Sequence, residues 1–398
     1  MRDVIVIGAR CGGAPTAMLL AKKGYDVLLV DRARFPTDIP HGHFIHKNGP
    51  ARLRKWGLID RVVATGCPPI DSAINDFGDY PLAADQLHVD GLAFGYAPRR
   101  YALDHVLVEA AVEAGAELRE EYTVESLTMD EEKVTGIRGR DRNSGSLTSE
   151  QAVITVGADG RSSLVARRVH APLYQSAPSF TFTYFSYWSG IDSKSLEFYA
   201  RREFALAAFP TNNGLFGVFV SWASRLLPQV GHNLEESFMQ AIDQIPGLGE
   251  RLRGGRREER LYGALDQPNF LRKPFGPGWA LVGDAGCHKD PFLALGISDA
   301  FRDAEFLADA IDATLSGRSS YEQAMSQYER LRNESTLPDY NRNIRLAKLE
   351  PPPPEIMRLR AAVRNDPALR REFMLANHDA IPRDSFFNAD TMKRLGVT

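Results

Sequence analysis

The chain has 398 residues and a formal net charge of −3. This length predicts about two domains with an ample core. The near-neutral charge excludes a strongly basic nucleic-acid-binding protein and gives no reason to expect an anionic membrane surface as partner. No apolar run approaches the roughly 20 residues of a membrane span.

The N-terminus and the cysteines indicate the cellular compartment of the protein. A strand pattern begins at Asp3, so no signal peptide is expected. Cys11, Cys67 and Cys287 are widely spaced and odd in number. They indicate a reducing cytoplasm and no disulfide or metal framework.

The first elements are a strand, a glycine-rich turn and a helix. Residues 4–7 form a β-branched run typical of a buried parallel strand, and residues 8–13 form the turn. A helix pattern covers 14–23, and a second apolar run over 27–30 ends at Asp31. This order is that of a dinucleotide-binding fingerprint, in which the acid takes the hydroxyls of an adenosine ribose.

One position of this fingerprint departs from the pattern. The motif has glycine at positions 8, 10 and 13, and position 10 is Arg10. The middle glycine normally lets the backbone approach a pyrophosphate closely. An arginine adds a side chain there, and it also adds a cation beside a diphosphate. Gly12 is expected to supply some of the lost flexibility.

Strands and helices then alternate. The patterns predict, in chain order, a helix over 49–56, a polar excursion into another domain over 76–94, a helix over 103–114, strands within 117–148 and a buried strand over 152–156. The last strand runs into a second polar turn, residues 157–162. Such alternation indicates a parallel sheet.

Between Pro172 and Pro274 the chain becomes aromatic and rich in β-forming residues. The pattern predicts an antiparallel sheet covered by a helix over roughly 234–252. Most of its aromatic side chains are expected to fill the sheet core. The candidates for the walls of a substrate pocket are Tyr184, Tyr187, Trp188, Phe209 and Trp222.

A third turn, residues 283–286, follows the apolar run 279–282. It carries Asp284 and leads into a helix pattern over 297–311. Such a turn can hold a carboxylate against a polyol, and the helix start can aim N–H groups at an anion. The chain stays helical to about residue 346, and prolines at 351–354 then separate a helical C-terminal cap.

Three polar turns that follow buried strands converge at the carboxyl edge of a doubly wound sheet. An NAD dehydrogenase needs only the first, so the second and third favour a longer cofactor, FAD. The predicted fold is therefore α/β, with a Rossmann-like FAD-binding domain, an inserted antiparallel substrate domain and a helical C-terminal segment. The predicted ranges are 1–75, 95–171 and 276–345 for the FAD-binding domain, 76–94 and 172–275 for the substrate domain, and 346–398 for the cap.

These motifs resemble those of class A flavoprotein monooxygenases, the family typified by p-hydroxybenzoate hydroxylase. The chain is similar to a bacterial branch with Gly-Ala-Arg-Cys in place of the standard glycine turn. The wider superfamily includes geranylgeranyl reductases and flavin-dependent halogenases. The resemblance covers about the first 345 residues and rests on the N-terminal turn, Asp159-Gly160 and Gly283-Asp284.

The resemblance implies FAD contacts by position. They are Gly8, Arg10 and Gly13 at the diphosphate, Asp31 at the adenosine ribose, Arg32 and Val124 at the adenine, Arg100 at the diphosphate and ribityl region, Asp159 in the Asp-Gly motif, Asp284 at a ribityl hydroxyl, and Gly296 and Ile297 at the pyrimidine end of the flavin. It also places a basic residue, His43, against flavin or nicotinamide, and it places His288 and Asp290 near the front face of the flavin. These three are the catalytic candidates.

The implied activity is that of an FAD-dependent monooxygenase. NAD(P)H would reduce FAD without a dedicated nicotinamide domain, and O2 would give a flavin C4a-hydroperoxide that hydroxylates an aromatic or polyketide-like small molecule. A monomer or homodimer is expected. The spacing of His41, His43 and His46 hints at a metal, but a site needs fixed geometry, and no metal is predicted.

Three alternatives stay open. A reductase of the geranylgeranyl reductase type would keep the FAD motifs and would require a long apolar tunnel for an isoprenoid chain. A halogenase is disfavoured, because Trp188 and Trp222 do not form a Trp-x-Trp-x-Ile-Pro motif and Lys47 matches the halogenase lysine poorly. A flavin-binding protein without catalysis is the third.

Overall fold

The computed structural model describes residues 1–397. The strands up to residue 157 are β1 (Arg2–Ile7), β2 (Val27–Val30), β3 (Pro69–Ile70), β4 (Ser72–Asp76), β5 (Pro81–Ala84), β6 (His88–Val89), β7 (Leu92–Ala93), β8 (Gly95–Tyr96), β9 (Glu117–Arg119), β10 (Tyr122–Asp130), β11 (Lys133–Asp141) and β12 (Leu147–Gly157). The strands that follow are β13 (Leu173–Ala177), β14 (Thr181–Ser189), β15 (Ser195–Arg201), β16 (Phe204–Pro210), β17 (Phe216–Ala223), β18 (Arg256–Arg257), β19 (Tyr262–Ala264), β20 (Asn269–Arg272), β21 (Phe275–Gly276), β22 (Trp279–Leu281) and β23 (Cys287–His288).

The helices are numbered in chain order in the same way. They are α1 (Gly13–Ala21), α2 (Gly49–Lys55), α3 (Ile59–Ala64), α4 (Arg100–Glu113), α5 (Leu164–Arg168), α6 (Leu227–His232), α7 (Leu234–Asp243), α8 (Leu248–Gly254), α9 (Gly296–Leu315), α10 (Tyr321–Ala347), α11 (Pro354–Val363), α12 (Pro367–Asn377), α13 (Arg383–Phe386) and α14 (Ala389–Arg394). Within residues 1–397, no helix combines the length and the apolar character needed to cross a membrane.

The first sheet is wound in both directions from β1. Strand β1 pairs in parallel with β2 and with β12, and β9 and β22 extend the parallel core on either side. Helices α1, α4 and α9 pack on one face, while β10, β11 and α5 cover the other. Both faces are buried, which explains the unbroken apolar runs of β1 and β2. The predicted doubly wound α/β fold is confirmed, and the turns after β1, β12 and β22 meet at one edge.

The second sheet has the strand order β18-β14-β17-β16-β15-β4-β5, with β19 paired to β14. Because β4 pairs in parallel with β15, residues 72–76 belong to this sheet, and the predicted boundary at residue 76 falls inside a strand. The single helix predicted over 234–252 is wrong in one detail. It is two helices, α7 and α8, because Pro246 lacks an N–H donor and Gly247 adopts a φ of +76°.

The C-terminal segment packs on one face of the second sheet. After the prolines, α11, α12 and α13 contribute apolar side chains to a cluster that includes Phe44 and Tyr187, and α12 lies against β5. Arg360 of α11 is buried and donates to both oxygens of Asp79, at 3.0 and 2.7 Å. Helices α7 and α8 cover the opposite face of the sheet.

Candidate cofactor cleft and substrate cavity

The turns after β1, β12 and β22 touch one another through glycine backbone. A Cβ on Gly8, whose φ is +101°, would lie 2.4 Å from the carbonyl oxygen of Ala158, and a Cβ on Gly13 would lie 1.7 Å from that of Gly8. Gly12 packs near Gly283, with 3.7 Å from its notional Cβ to the Gly283 Cα. The close approach requires glycine at positions 8 and 13 and makes the three turns one surface.

The carboxylate of Asp31 sits at the end of β2, beside the first turn. It accepts hydrogen bonds from the N–H groups of Ala9 and Ala33, each at 2.8 Å. Carboxylate oxygens have further lone pairs, so both can still accept from a diol. The N–H of Tyr122 donates to the Asp31 carbonyl at 2.9 Å, which brings the start of β10, with Val124, alongside. Arg32 is exposed next to it.

Arg10 is held by a carboxylate that the sequence did not single out. Asp104 of α4 is wholly buried and accepts hydrogen bonds from the guanidinium groups of Arg10 and Arg100 and from the Cys11 thiol. Burial alone would lower the pKa of Arg100, but Asp104, and more weakly Asp284, outweigh it and raise that pKa. Two cations share one carboxylate, so this corner of the cleft carries an excess positive charge suited to a diphosphate.

His41 shows that the separate turns face one space. Although His41 is exposed, the protein atoms around its ring displace water and lower its pKa to about 4; the positive charges of Arg100, Arg161 and Arg10 act in the same direction, while Asp284 acts against them. These charges come from the first turn, the second turn, the third turn and the start of α4. Asp284 itself is exposed in the cleft, and its carboxylate has no hydrogen-bond partner within residues 1–397.

Asp159 carries an unsatisfied oxygen. Its Oδ2 accepts from the N–H groups of Leu164 and Val165, at 2.6 and 3.3 Å. Its Oδ1 is buried and lacks a partner in the described part of the chain, and burial raises the pKa of this carboxyl. A buried acceptor without a donor is costly. Together with the glycine cradle and the free Asp284 carboxylate, this oxygen makes the cleft a fit for a long cofactor rich in hydroxyl and N–H donors.

The start of α9 faces the same region. The helix begins at Gly296, followed by Ile297, and Leu295 before it provides no side-chain cap. The first N–H groups of an uncapped helix have no partner inside the helix and attract negative charge. Lys289 and Arg302 both pair with Asp299 in the first turn, so its charge is already compensated.

A cavity of about 140 Å³ lies beside the loop 38–43, next to this cleft. Its lining includes Asp38, His43, Arg99, Phe185, Tyr187 and Tyr262. The loop 38–43 borders both spaces: His41 lies among the charges of the cleft, Asp38 and His43 line the cavity, and Arg100 lowers the pKa of both histidines. The adjacent arginines at the start of α4 divide likewise, with Arg100 in the cleft and Arg99 in the cavity.

His43 is buried between a carbonyl and a phenol. Its Nδ1 lies 3.0 Å from the Ala97 carbonyl oxygen and its Nε2 lies 2.9 Å from the Tyr187 hydroxyl. Burial, then the nearby Arg99, lowers the pKa of His43 to about 3. Burial also raises the pKa of Tyr187. His43 is therefore a neutral imidazole at ordinary pH, and Tyr187 is a neutral phenol.

The second sheet divides the predicted pocket residues between its two faces. Tyr187 and Phe209 face His43, and the Phe209 ring meets the His43 ring edge-on at 5.5 Å. Tyr184, Trp188 and Trp222 point the other way, because successive residues of a strand alternate between faces. Trp188 and Trp222 are packed under α7 with Phe238, and Tyr184 borders that cluster. These three belong to the core of the far face and do not line the cavity.

His288 and Asp290 are both buried in structural contacts. The Nδ1 of His288 approaches the Pro268 carbonyl, and its ring stacks on Phe270 at 5.7 Å. The carboxylate of Asp290 accepts from the N–H and the hydroxyl of Thr181, at 2.9 and 2.7 Å. These contacts tie the third turn to β14 and β20. A catalytic role for either residue stays a prediction.

Several residues of the site had no clear signal in the sequence. Arg99 pairs with Asp38 at 2.7 Å and with Glu259 at 2.7 Å, and its guanidinium lies 3.9 Å from the centre of the Tyr187 ring. The paired arginines at positions 99 and 100, just before a helix pattern, were the one available hint. Glu259 is 160 residues further along the chain, so no local pattern could link the two.

A family model described as FAD binding domain matches residues 1–336 of the chain. The digeranylgeranylglycerophospholipid reductase of Methanosarcina acetivorans is 27% identical over 343 residues, which cover 84% of this chain and 81% of that protein.

Among solved structures, the myxobacterial chondrochloren halogenase CndH aligns with a TM-score of 0.78 at 20% identity, covering 99% and 95% of the two chains. Pseudomonas aeruginosa PqsL, described as a probable FAD-dependent monooxygenase, aligns with a TM-score of 0.70 at 20% identity, covering 94% and 99%. At these identities the structural likenesses establish the fold.

Proposed function

The chain belongs to the FAD binding domain family of flavoprotein oxidoreductases, and from that premise we propose that it is a monooxygenase that uses NAD(P)H and O2 to hydroxylate an aromatic or polyketide-like small molecule. The cavity beside the cleft carries this proposal. Its volume of about 140 Å³ is close to that of a cavity of about 150 Å³ that accepts benzene. Aromatic walls and this size suit one ring of a substrate.

The chain's own residues would hold the cofactor along the cleft. Gly8 and Gly13 let the backbone approach the diphosphate, and Arg10 and Arg100 neutralise it. Asp31 and Asp284 would accept from the hydroxyls of ribose and of the ribityl chain. When bound, FAD would supply the electron transfer and the oxygen chemistry, while the protein supplies binding and orientation. The buried side of the cavity, which includes Phe185 and Tyr187, would limit the access of water to the reacting ring.

Purified, FAD-loaded protein should oxidise NADH or NADPH faster when a suitable phenolic, indolic or polyketide compound is present. Oxygen uptake should match the nucleotide consumed, and the product should gain one oxygen atom derived from O2. Mass spectrometry after incubation under labelled O2 measures this directly. A compound that stimulates nucleotide oxidation yet never gains oxygen would contradict hydroxylation.

A reductase of isoprenoid double bonds is the second candidate. It is favoured by the likeness to the digeranylgeranylglycerophospholipid reductase, 27% identical over most of both chains. Such an enzyme would turn over without O2. Anaerobic incubation with a geranylgeranyl lipid and reduced flavin separates the two, because only the reductase adds two hydrogen atoms to the lipid. Halogenation, suggested by the fold shared with CndH, would appear as chloride incorporated into the product.

The exposed carboxylate of Asp284 offers a direct test of the cleft. Asp284→Ala should raise the Kd for FAD about tenfold or more, since a hydrogen bond to a charged group contributes about 1.5–3 kcal/mol. Quenching of flavin fluorescence on titration of the apoprotein measures the change. Asp309→Ala is the matched control, because Asp309 is a 76% exposed side chain of α9 away from the cleft. Equal FAD binding by both variants would remove Asp284 from the site.

A further inference from the structure

The polar groups of the cavity form a chain of hydrogen bonds from Ala97 through His43 to Tyr187. The Ala97 carbonyl fixes which atom donates in each of them. A carbonyl oxygen can only accept, and this one accepts from the Thr211 hydroxyl at 2.5 Å as well as from His43 Nδ1 at 3.0 Å. The proton of the His43 imidazole is therefore on Nδ1. Because the ring is buried and neutral, its Nε2 has a lone pair and no proton.

This assignment decides the orientation of the Tyr187 hydroxyl. The Nε2 of His43 can only accept, so the hydroxyl, 2.9 Å away, must donate to it. A phenol has one proton and two lone pairs. With its proton committed to His43, the Tyr187 oxygen can offer the cavity only lone pairs.

Arg99, the cation of the lining, has three of its five N–H groups committed to carboxylates. The guanidinium of Arg99 donates to Asp38 through Nη2 and to Glu259 through Nη1, each at 2.7 Å, with its face over the Tyr187 ring. Asp38 is the acceptor in its pair with Arg99. The hydroxyl of Tyr262 can do either. Tyr187 and Asp38 therefore present hydrogen-bond acceptors to the cavity.

We propose that Tyr187, oriented by His43, is the specificity-determining acceptor of the cavity, and that the substrate is an aromatic ring bearing an O–H or N–H group that donates to the Tyr187 oxygen. Phenols, anilines and indoles have this chemistry, and unsubstituted isoprenoid chains do not. This inference rests on the proposed function, which makes the cavity the substrate site. His43 acts through Tyr187 and is a positioning residue.

Binding of isosteric ligand pairs tests the proposal without turnover. Indole and benzofuran differ by an N–H against an ether oxygen, and phenol and fluorobenzene differ by O–H against fluorine. Titration into FAD-loaded protein, followed by the change in flavin absorbance, should show the donor of each pair binding at least about tenfold more tightly. The burial of an unpaired acceptor accounts for a preference of this size.

Two variants and a control isolate the role of the hydroxyl. Tyr187→Phe should bring the ratio within each pair to about twofold or less. His43→Leu frees the Tyr187 proton to donate, so benzofuran should gain relative to indole, while Thr211 still satisfies Ala97. A merely structural role for His43 would weaken both ligands equally. Tyr184→Phe, on the opposite face of the same strand, should keep the wild-type ratio.

Failure of this inference can be told apart from failure of the proposed function. Wild-type protein that binds indole and benzofuran equally, but still hydroxylates an aromatic compound, would overturn the donor rule and leave the monooxygenase standing. An unchanged ratio in Tyr187→Phe would likewise overturn it. If no aromatic probe binds and none stimulates nucleotide oxidation, both proposals fall.

Discussion

Replacing Asp104 with Ala should lower the free energy of unfolding by about 3–5 kcal/mol, the range for removing one partner of a buried ion pair. Asp104 is wholly buried, and it is the shared acceptor for Arg10 and Arg100. Without it, two neighbouring guanidinium groups would remain in a partly desolvated site with no counter-charge. Urea-induced unfolding of the apoprotein, monitored by circular dichroism, measures the difference.

Glu113→Ala is the matched control for this prediction. Glu113 is the last residue of the same helix, and its side chain, which pairs with Arg61, is 63% exposed. Exposed pairs contribute about 0–1 kcal/mol, so the control should change stability little. If Asp104→Ala and Glu113→Ala have equal stabilities, the buried cluster does not hold the first turn. Added FAD should restore part of the lost stability in Asp104→Ala, because its diphosphate would supply negative charge to both arginines.

Gly13→Ala should lower the free energy of unfolding by about 3 kcal/mol and abolish retention of FAD. The added Cβ would stand 1.7 Å from the carbonyl oxygen of Gly8, and that obstacle is backbone, which no rotamer change can relieve. The start of α1 must then move away from the end of β1. Thermal unfolding and the flavin-to-protein absorbance ratio after purification report the two effects.

The neighbouring glycine provides the comparison. Gly12 has a φ of −92°, and its notional Cβ meets nothing closer than 3.5 Å. Gly12→Ala should therefore change the free energy of unfolding by no more than about 1 kcal/mol. Equal damage from both substitutions would mean that the turn needs flexibility at every glycine, and that close packing at Gly13 is not the cause.

Much of the fold could be predicted because it depends on local patterns. The β-branched run 4–7 and the helix pattern over 297–311 correspond to β1 and α9, and the doubly wound arrangement is confirmed. Pro246 and Gly247 mark the break between α7 and α8, but the apolar residues on both sides have helical spacing, and this spacing predicted one continuous helix. The domain boundary predicted at residue 76 falls within β4, and the pairing of this strand could not be foreseen because its partner β15 is more than 100 residues away.

The candidate site was predictable in part. The residues of the three turns lie at the ends of parallel strands, as does Asp31 after β2, and such strand ends meet at one edge, so Gly8, Asp31, Asp159 and Asp284 could be grouped in advance. Their contacts to FAD stay predictions. The aromatic residues of the second sheet could not be sorted, because the alternation of a strand says which residues share a face and does not say what covers that face.

The sequence by itself determined the fold class and the three turns, because both depend on patterns within short stretches of chain, and the residues of those turns carry the resemblance to the family. Only the tertiary structure decided which groups meet across long separations. It placed Asp104 under Arg10 and Glu259 beside Arg99, and it set His43 between Ala97 and Tyr187. Hydrogen-bond directions and buried charges depend on those contacts, so the chemistry of the cavity follows from the folded chain.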